Sequence, residues 1–200
     1  MKTKMHSLRL LFGALILITV WQPWPANSET SAQSSAALQT NAAKEKSSQR
    51  RAVMIAEWTR ARDWTQQYIA KMPEEHFGFK PVPEVRSFAE QMLHLAYWNF
   101  GFTAKAFGRS SPYKEEELMK DEFKTKARLS KVVAESYDFV INGVRALSDA
   151  QLDEPLALRN GAKALRIERI NDAYEHQTHH RGQTVIYLRL KGLEPPAEPF

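Results

Sequence analysis

The sequence predicts an all-α protein built as a four-helix bundle, and three observations support this fold class. Four long stretches carry apolar residues at spacings of three and four, which is the pattern of one buried helix face. Residues that cap or end helices separate these stretches. No segment has the alternating pattern of a strong β-strand. Long helices joined in this way pack as an antiparallel bundle.

Composition excludes several classes of function. The chain has 200 residues, of which 43% are hydrophobic and 26% are charged, as in ordinary globular domains. It contains no cysteine, which excludes disulfides, cysteine–metal sites and catalysis by a protein thiol. Three of the five net positive charges lie in residues 1–28, and acidic residues are interleaved with the remaining Lys and Arg. No nucleic-acid-binding surface is therefore predicted.

Residues 1–28 have the pattern of a secretory signal peptide. Lys2, Lys4 and Arg9 precede a short apolar run, which is followed by two prolines and then by small residues. The run is shorter than the roughly 18 residues that a membrane-spanning helix needs. We therefore expect export from a bacterial cell to the periplasm or the extracellular space. The alternative is an uncleaved segment, which would anchor the protein to a membrane.

Residues 29–49 are rich in Ser, Ala, Gln and Thr and have no apolar periodicity, which favours a disordered linker. The folded domain is expected over residues 50–196. Its first helix ends at about Met72, because Pro73 follows, and a long loop leads to the second helix. The apolar stripe of the first helix consists of Met54, Trp58, Ala61, Thr65, Tyr68 and Met72.

The second helix begins at a capping box formed by Ser87 and Glu90, and Gly108 is its expected end. Its residues are apolar on almost every face, so it should be largely buried. His94 lies in the middle of this apolar segment. Residues 109–124 are charged, and we expect a loop there with one short helix.

The third helix is expected from about Lys126 to Leu147, although Gly143 interrupts its apolar stripe. Asn160 and Gly161 then indicate a tight turn. The fourth helix follows, from about Leu165 to Lys191. Gly192 stands where a left-handed helix C-cap is expected, with prolines shortly after it.

Histidine spacing predicts a metal site between the second and fourth helices. His176 and His180 are four residues apart, so their rings share one helix face and can bind one ion. His94 would add a third nitrogen. Three neutral imidazoles leave one coordination position for water, as in catalytic zinc sites, and nickel, cobalt or iron would also fit. Spacing alone leaves open that His94 is a core residue, or that His179 replaces His180.

Longer motifs resemble the DinB-like (YfiT-like) family of metalloenzymes. The block His-Gln-Thr-His-His-Arg-Gly-Gln, residues 176–183, resembles the last helix of that family. Residues 91–95, Gln-Met-Leu-His-Leu, resemble its second helix with the histidine in place. Residues 72–75 and 79–81 resemble its first loop. The resemblance covers nearly all of residues 50–196 in order.

The resemblance implies a four-helix bundle that holds a divalent metal on His94, His176 and His180. Zinc and nickel are the metals we expect first. It leaves His179 off the ligand face. Gln183 and Tyr187 follow His180 by three and seven residues, so they should lie on the same face. There they would orient a ligand, bind substrate, or simply pack between helices. DinB-like bundles often form homodimers, so the resemblance also implies a possible homodimer. Separately, we expect Arg181, within the block of residues 176–183, to pair with a carboxylate.

Family members that have been characterised transfer or isomerise small thiols such as bacillithiol and mycothiol, and others are described as hydrolases. The resemblance therefore implies a metal-dependent enzyme, thiol transferase-like or hydrolase-like, that acts on a small molecule, and the predicted signal peptide implies that it is exported. Two alternatives stay open: a non-catalytic metal-binding or stress-associated envelope protein, and a bundle that holds no metal. Metal affinity should weaken below about pH 6, because protonated imidazole cannot ligate.

Overall fold

The computed structural model describes residues 28–158 and 161–199, which belong to two compact units that divide between Thr40 and Asn41. The predicted signal peptide, residues 1–28, lies outside the described residues apart from Ser28. None of the helices within the described ranges combines the length and the hydropathy that a membrane-spanning helix needs.

Four long helices dominate the described residues and confirm the predicted fold class. The helices are α1 (Ser28–Lys71), α2 (Phe88–Ala104), α3 (Glu115–Leu118), α4 (Lys126–Ala146), α5 (Asp149–Leu152) and α6 (Arg166–Leu190). Two short strands, β1 (Pro155–Ala157) and β2 (Lys163–Leu165), pair antiparallel between α5 and α6. Helices α2, α4 and α6 begin and end within a few residues of the predicted positions.

Helix α1 begins at Ser28, well before the predicted start near Arg50, so the stretch interpreted as a disordered linker, residues 29–49, is helical. That stretch contains neither proline nor glycine, so nothing in the chain prevents the helix from continuing toward the amino terminus. Its described side chains, among them Leu38, are exposed. The helix therefore extends beyond its own apolar stripe.

The hydrophobic core lies between the long helices. The predicted α1 stripe is buried from Trp58 to Met72, and the stripe of α4 is buried as well. Helix α2 packs against both α4 and α6, which explains why its apolar residues leave little polar face. Its capping box is confirmed: Ser87 Oγ accepts from the Glu90 amide at 3.3 Å, and the Glu90 carboxylate accepts from the Ser87 amide at 2.8 Å.

Arg181 is buried without a carboxylate partner among the described residues, contrary to the expectation of an ion pair. Its guanidinium donates to Gln177 Oε1 at 2.7 Å and to Thr65 Oγ1 at 3.3 Å, and it stacks on the Trp64 ring at 4.4 Å. The Tyr137 hydroxyl also donates to Gln177 Oε1, at 2.8 Å. This network ties α6 to α1 and α4, and so fixes which face of α6 is turned toward α2.

Two details differ from the sequence-based expectations. The strands β1 and β2 were not predicted, because three residues each are too few to display an alternating pattern. The predicted turn lies between these strands. Asn160 is outside the described residues, and Gly161 has a φ of 82°.

Gly143, which was expected to weaken α4, allows that helix to pack closely against Phe107: a Cβ there would lie 2.4 Å from Cδ2 of Phe107.

Candidate metal centre

Helices α2 and α6 bring the three predicted histidines together. One ring nitrogen each of His94, His176 and His180 can be chosen so that all three lie within 4.8 Å of one another. The Nε2 atoms of His176 and His180 are 3.1 Å apart. Two imidazole nitrogens that share a tetrahedral ion at about 2.0–2.1 Å lie roughly 3.3 Å from each other. The separation of this pair is therefore close to that of two ligands of one cation.

The site keeps its imidazoles neutral. His94 and His180 are only 8% and 7% exposed. Burial and the neighbouring histidines lower the pKa of His176 to about 4 and that of His180 to about 3. Burial also lowers the pKa of His94. Neutral imidazole is the form that ligates metal. Loss of metal below about pH 6, expected for ordinary imidazoles, should therefore move to more acidic pH.

The proton of His180 is held on the side away from the other two rings. Its Nδ1 atom lies 2.8 Å from Gln91 Oε1 and 3.1 Å from Gln183 Oε1. Both amide oxygens are acceptors, so Nδ1 carries the hydrogen. Nε2 then presents its lone pair toward His176, as a metal ligand must.

A carboxylate fixes His94 in the same manner. Glu115 Oε1, at the start of α3, lies 2.9 Å from His94 Nδ1. The ring therefore donates to the carboxylate through Nδ1 and leaves Nε2 free to ligate, the arrangement found behind many metal-binding histidines. No sequence signal identified this residue, because it lies in a charged segment far from His94 along the chain.

His176 carries the most direct sign that the site fits a cation. Its Nδ1 atom is buried and has no hydrogen-bond partner among the described residues. Its Nε2 atom faces the lone pair of His180 Nε2. Two facing nitrogens need either a proton or a positive ion between them. A divalent cation between the two Nε2 atoms would bind both lone pairs, whereas Nδ1 of His176 points in another direction and would not contact that cation.

The other predicted residues have distinct places. His179 is exposed and lies outside the cluster, with its Nε2 atom 3.0 Å from Gln183 Nε2. Gln183 touches the site through His180. Tyr187 does not contact a histidine of the cluster through a hydrogen bond: its hydroxyl donates to the Arg86 carbonyl at 2.7 Å and accepts from Gln91 Nε2 at 3.4 Å. It therefore positions the amide that holds His180.

Aromatic rings close one side of the cluster. The Trp98 ring lies with its centroid 6.2 Å from that of His94 and 5.9 Å from that of His176. The Phe102 ring lies 5.5 Å from His176. Trp98 follows His94 by one turn of α2, which places its ring against the histidines. These rings exclude water and lower the local dielectric, which strengthens electrostatic interactions in the site.

The other side opens onto a polar pocket of about 590 Å³. His180, Gln91 and Gln183 form its floor, and charged side chains from the loop before α2 form its rim. Pockets that bind small molecules have volumes of about 300–1,000 Å³. The pocket is therefore large enough for a small substrate next to His180.

Comparison with known proteins gives a consistent result. The sequence profile of the DinB superfamily matches residues 57–184, a range that contains all three histidines. The chain is 25% identical over 146 residues to the uncharacterized protein YjoA of Bacillus subtilis (strain 168), covering 70% of this chain and 89% of YjoA.

Solved structures share the fold. A DinB-like protein from Bacillus cereus ATCC 10987 is similar with a TM-score of 0.58 and 17% identity, over 72% of this chain and 95% of that one. The structure of B. subtilis YjoA is similar with a TM-score of 0.54 and 23% identity, over 74% of this chain and 96% of YjoA. YfiT from B. subtilis is described as a probable metal-dependent hydrolase with an unusual four-helix bundle topology. It is similar with a TM-score of 0.57 and 14% identity, over 72% of this chain and 89% of YfiT.

Proposed function

Because this chain belongs to the DinB superfamily, we propose that it is a metal-dependent enzyme, hydrolase-like in its chemistry, that uses His94, His176 and His180 to hold one divalent cation. One observation carries the proposal: the cluster in the described residues offers three imidazoles and no fourth His, Asp or Glu ligand. A structural site is normally closed by four protein ligands, whereas a catalytic one keeps a position open. The donor set therefore favours catalysis over a purely structural role.

The protein's own groups prepare this site in three ways. Gln91 and Gln183 hold the His180 ring in the tautomer that ligates, and Glu115 does so for His94. The aromatic wall limits access of water from one side, and the polar pocket admits a small molecule from the other. A cation bound here would act as a Lewis acid that activates water or a substrate thiol near neutral pH. The imidazoles suit zinc or nickel, and the metal's identity is left to measurement.

Activity measurements on metal-loaded protein test this proposal. We expect protein loaded with zinc or nickel to hydrolyse at least one member of a panel of simple esters, lactones and amides. The rate should fall to the background level after chelation and in the variant His176→Ala. The matched variant His76→Ala, in the segment between α1 and α2, should retain most of the rate, since His76 belongs neither to the cluster nor to the pocket lining. Rates that are equal in wild type and His176→Ala would refute the proposal.

Two other functions are distinguished in the same assays. Conjugation of a small thiol to an electrophile, without hydrolysis, would assign the thiol transferase activity implied by the family resemblance. One tightly held equivalent of metal without either activity would favour the non-catalytic metal-binding protein.

We also propose that the protein acts outside the cytoplasm, on the basis of the signal-like pattern of residues 1–28. Export should yield a mature chain that begins after residue 28. Fractionation of the native host, followed by intact mass measurement, checks this. Full-length protein confined to the cytoplasm would contradict it.

A further inference from the structure

We propose that the polar pocket beside the histidines binds the carboxylate of a small-molecule substrate, and that the guanidinium of Arg86 is its anchor. This inference rests on the proposed function and adds a substrate class to it. The residues of the pocket that matter here are Lys80, Glu84, Arg86, Glu90, Gln91 and His180.

The main chain of Arg86 is connected to the metal ligand His180 by hydrogen bonds through Tyr187 and Gln91. Its carbonyl oxygen accepts a hydrogen bond of 2.7 Å from the hydroxyl of Tyr187, a buried residue of α6. The same hydroxyl contacts Gln91, whose amide oxygen accepts from His180 Nδ1 at 2.8 Å. A chain of three hydrogen bonds therefore links the position of Arg86 to the position of a metal ligand. The side chain is exposed, so the anchoring is done by the backbone.

The guanidinium of Arg86 has no ion pair or hydrogen bond within the described residues, whereas Lys80 and Glu90, which line the same pocket, are paired with each other. Glu90 lies between two lysines, 3.6 Å from Lys80 and 3.5 Å from Lys124. Arg86 is thus a free planar donor on the wall of the pocket that His180 also lines.

Charge balance favours an anionic ligand. The four charged residues on the rim, Lys80, Glu84, Arg86 and Glu90, cancel one another. A divalent cation on the neutral histidines leaves two positive charges, which a substrate carboxylate partly offsets. Guanidinium binds a carboxylate with two parallel hydrogen bonds, so Arg86 would fix orientation as well as affinity.

Matched hydroxamates test the inference by calorimetry on the zinc-loaded full chain. The carboxylate probes are succinic and glutaric acid monohydroxamate, and the neutral probes of equal length are butano- and pentanohydroxamate. A hydroxamate binds zinc directly in both sets. We expect at least one carboxylate probe to bind about tenfold more tightly than its neutral partner, the size of a charge-assisted hydrogen bond. In the variant Arg86→Gln this difference in affinity should fall below threefold. The control is Arg145→Gln, because Arg145 is an exposed arginine of α4 that does not line the pocket, and in this variant the tenfold difference should persist.

The outcomes separate this inference from the proposed function. Equal affinity of carboxylate and neutral probes for wild-type protein would overturn the inference and leave the metal site standing. A margin that survives Arg86→Gln but disappears in Lys80→Gln would overturn the assignment to Arg86. Failure of every probe to bind, together with absence of bound zinc, would refute the proposed function itself. Zinc content of each variant, measured by elemental analysis, verifies that the site is loaded.

Discussion

Two of the three histidines are held by hydrogen bonds to different neighbours, and those neighbours decide which ring nitrogen can ligate. A carboxylate holds His94, two amides hold His180, and His176 Nδ1 is buried without a partner in the described residues. The rings are therefore not equivalent, and neither are the effects expected from replacing their partners.

Replacing Glu115 by Gln should weaken zinc binding by about 10–100-fold, the usual effect of losing a carboxylate behind a metal-binding histidine. The neutral amide can still accept from His94 Nδ1, but it no longer raises the basicity of the ring. Competition with a chromophoric chelator measures the affinity. The control is Glu116→Gln, an exposed neighbour on the same short helix. Equal affinities of the two variants would remove Glu115 from the site.

The histidine doublet gives a second residue-scale prediction. His180→Ala should abolish stoichiometric zinc binding, because it removes a ring that the buried amides orient toward the other two. His179→Ala should retain it, since that ring is exposed and outside the cluster. Metal content after gel filtration separates the two. Equal loss in both variants would mean that the ligand set is wrong.

The sequence was enough to predict the three candidate histidines, but not the residues that hydrogen-bond to their rings. His176 and His180 follow from helical spacing, and His94 follows from the motif around it. Glu115 comes from a charged segment that approaches α2 only in the folded chain. Gln91 precedes His94 by one turn, but it acts on His180 across the helix interface, and no one-dimensional pattern specifies such a contact.

At the scale of elements, capping residues and prolines predicted the helix ends well, whereas two glycines in the long helices needed the structure to be understood. A Cβ on Gly143 in α4 would lie 2.4 Å from the Phe107 ring, and a Cβ on Gly182 in α6 would meet nothing within 4 Å. The start of α1 was missed for a related reason: apolar periodicity marks where a helix is buried, and α1 continues beyond that point.

The two glycines should respond to alanine in opposite directions. Gly143→Ala should lower the free energy of unfolding by about 1–3 kcal/mol, the usual cost of overpacking, less any gain in helix propensity. Gly182→Ala should raise it by up to about 1 kcal/mol, because alanine favours the helix and has room. Urea denaturation followed by circular dichroism measures both. Stabilisation by Gly143→Ala would contradict the close packing of α4 against Phe107.

For the whole molecule, the buried imidazoles make stability depend on pH. The pKa is about 4 for His176 and about 3 for His180 in the folded protein, below the ordinary value of about 6.5 expected after unfolding. Between these values the unfolded chain binds protons that the folded chain does not. The stabilisation is therefore complete above about pH 6.5 and is lost as the pH falls toward 4.

We accordingly expect metal-free protein to lose stability between pH 7.5 and pH 5, by an amount on the order of 2 kcal/mol for each of these two rings. Urea denaturation at the two pH values measures the change. Carboxylates also titrate, so the comparison is with the double variant His176→Gln/His180→Gln, in which the change should be distinctly smaller. An identical pH dependence of both proteins would show that the imidazoles are not kept neutral by the fold.

Anomalous X-ray scattering from crystals of zinc-loaded protein tests most directly that three histidines from α2 and α6 share one ion. We predict a single strong anomalous peak at about 2.0–2.1 Å from one nitrogen each of His94, His176 and His180. A peak bound elsewhere, or a cluster whose rings point away from one another with no peak between them, would contradict the metal site and every function built on it.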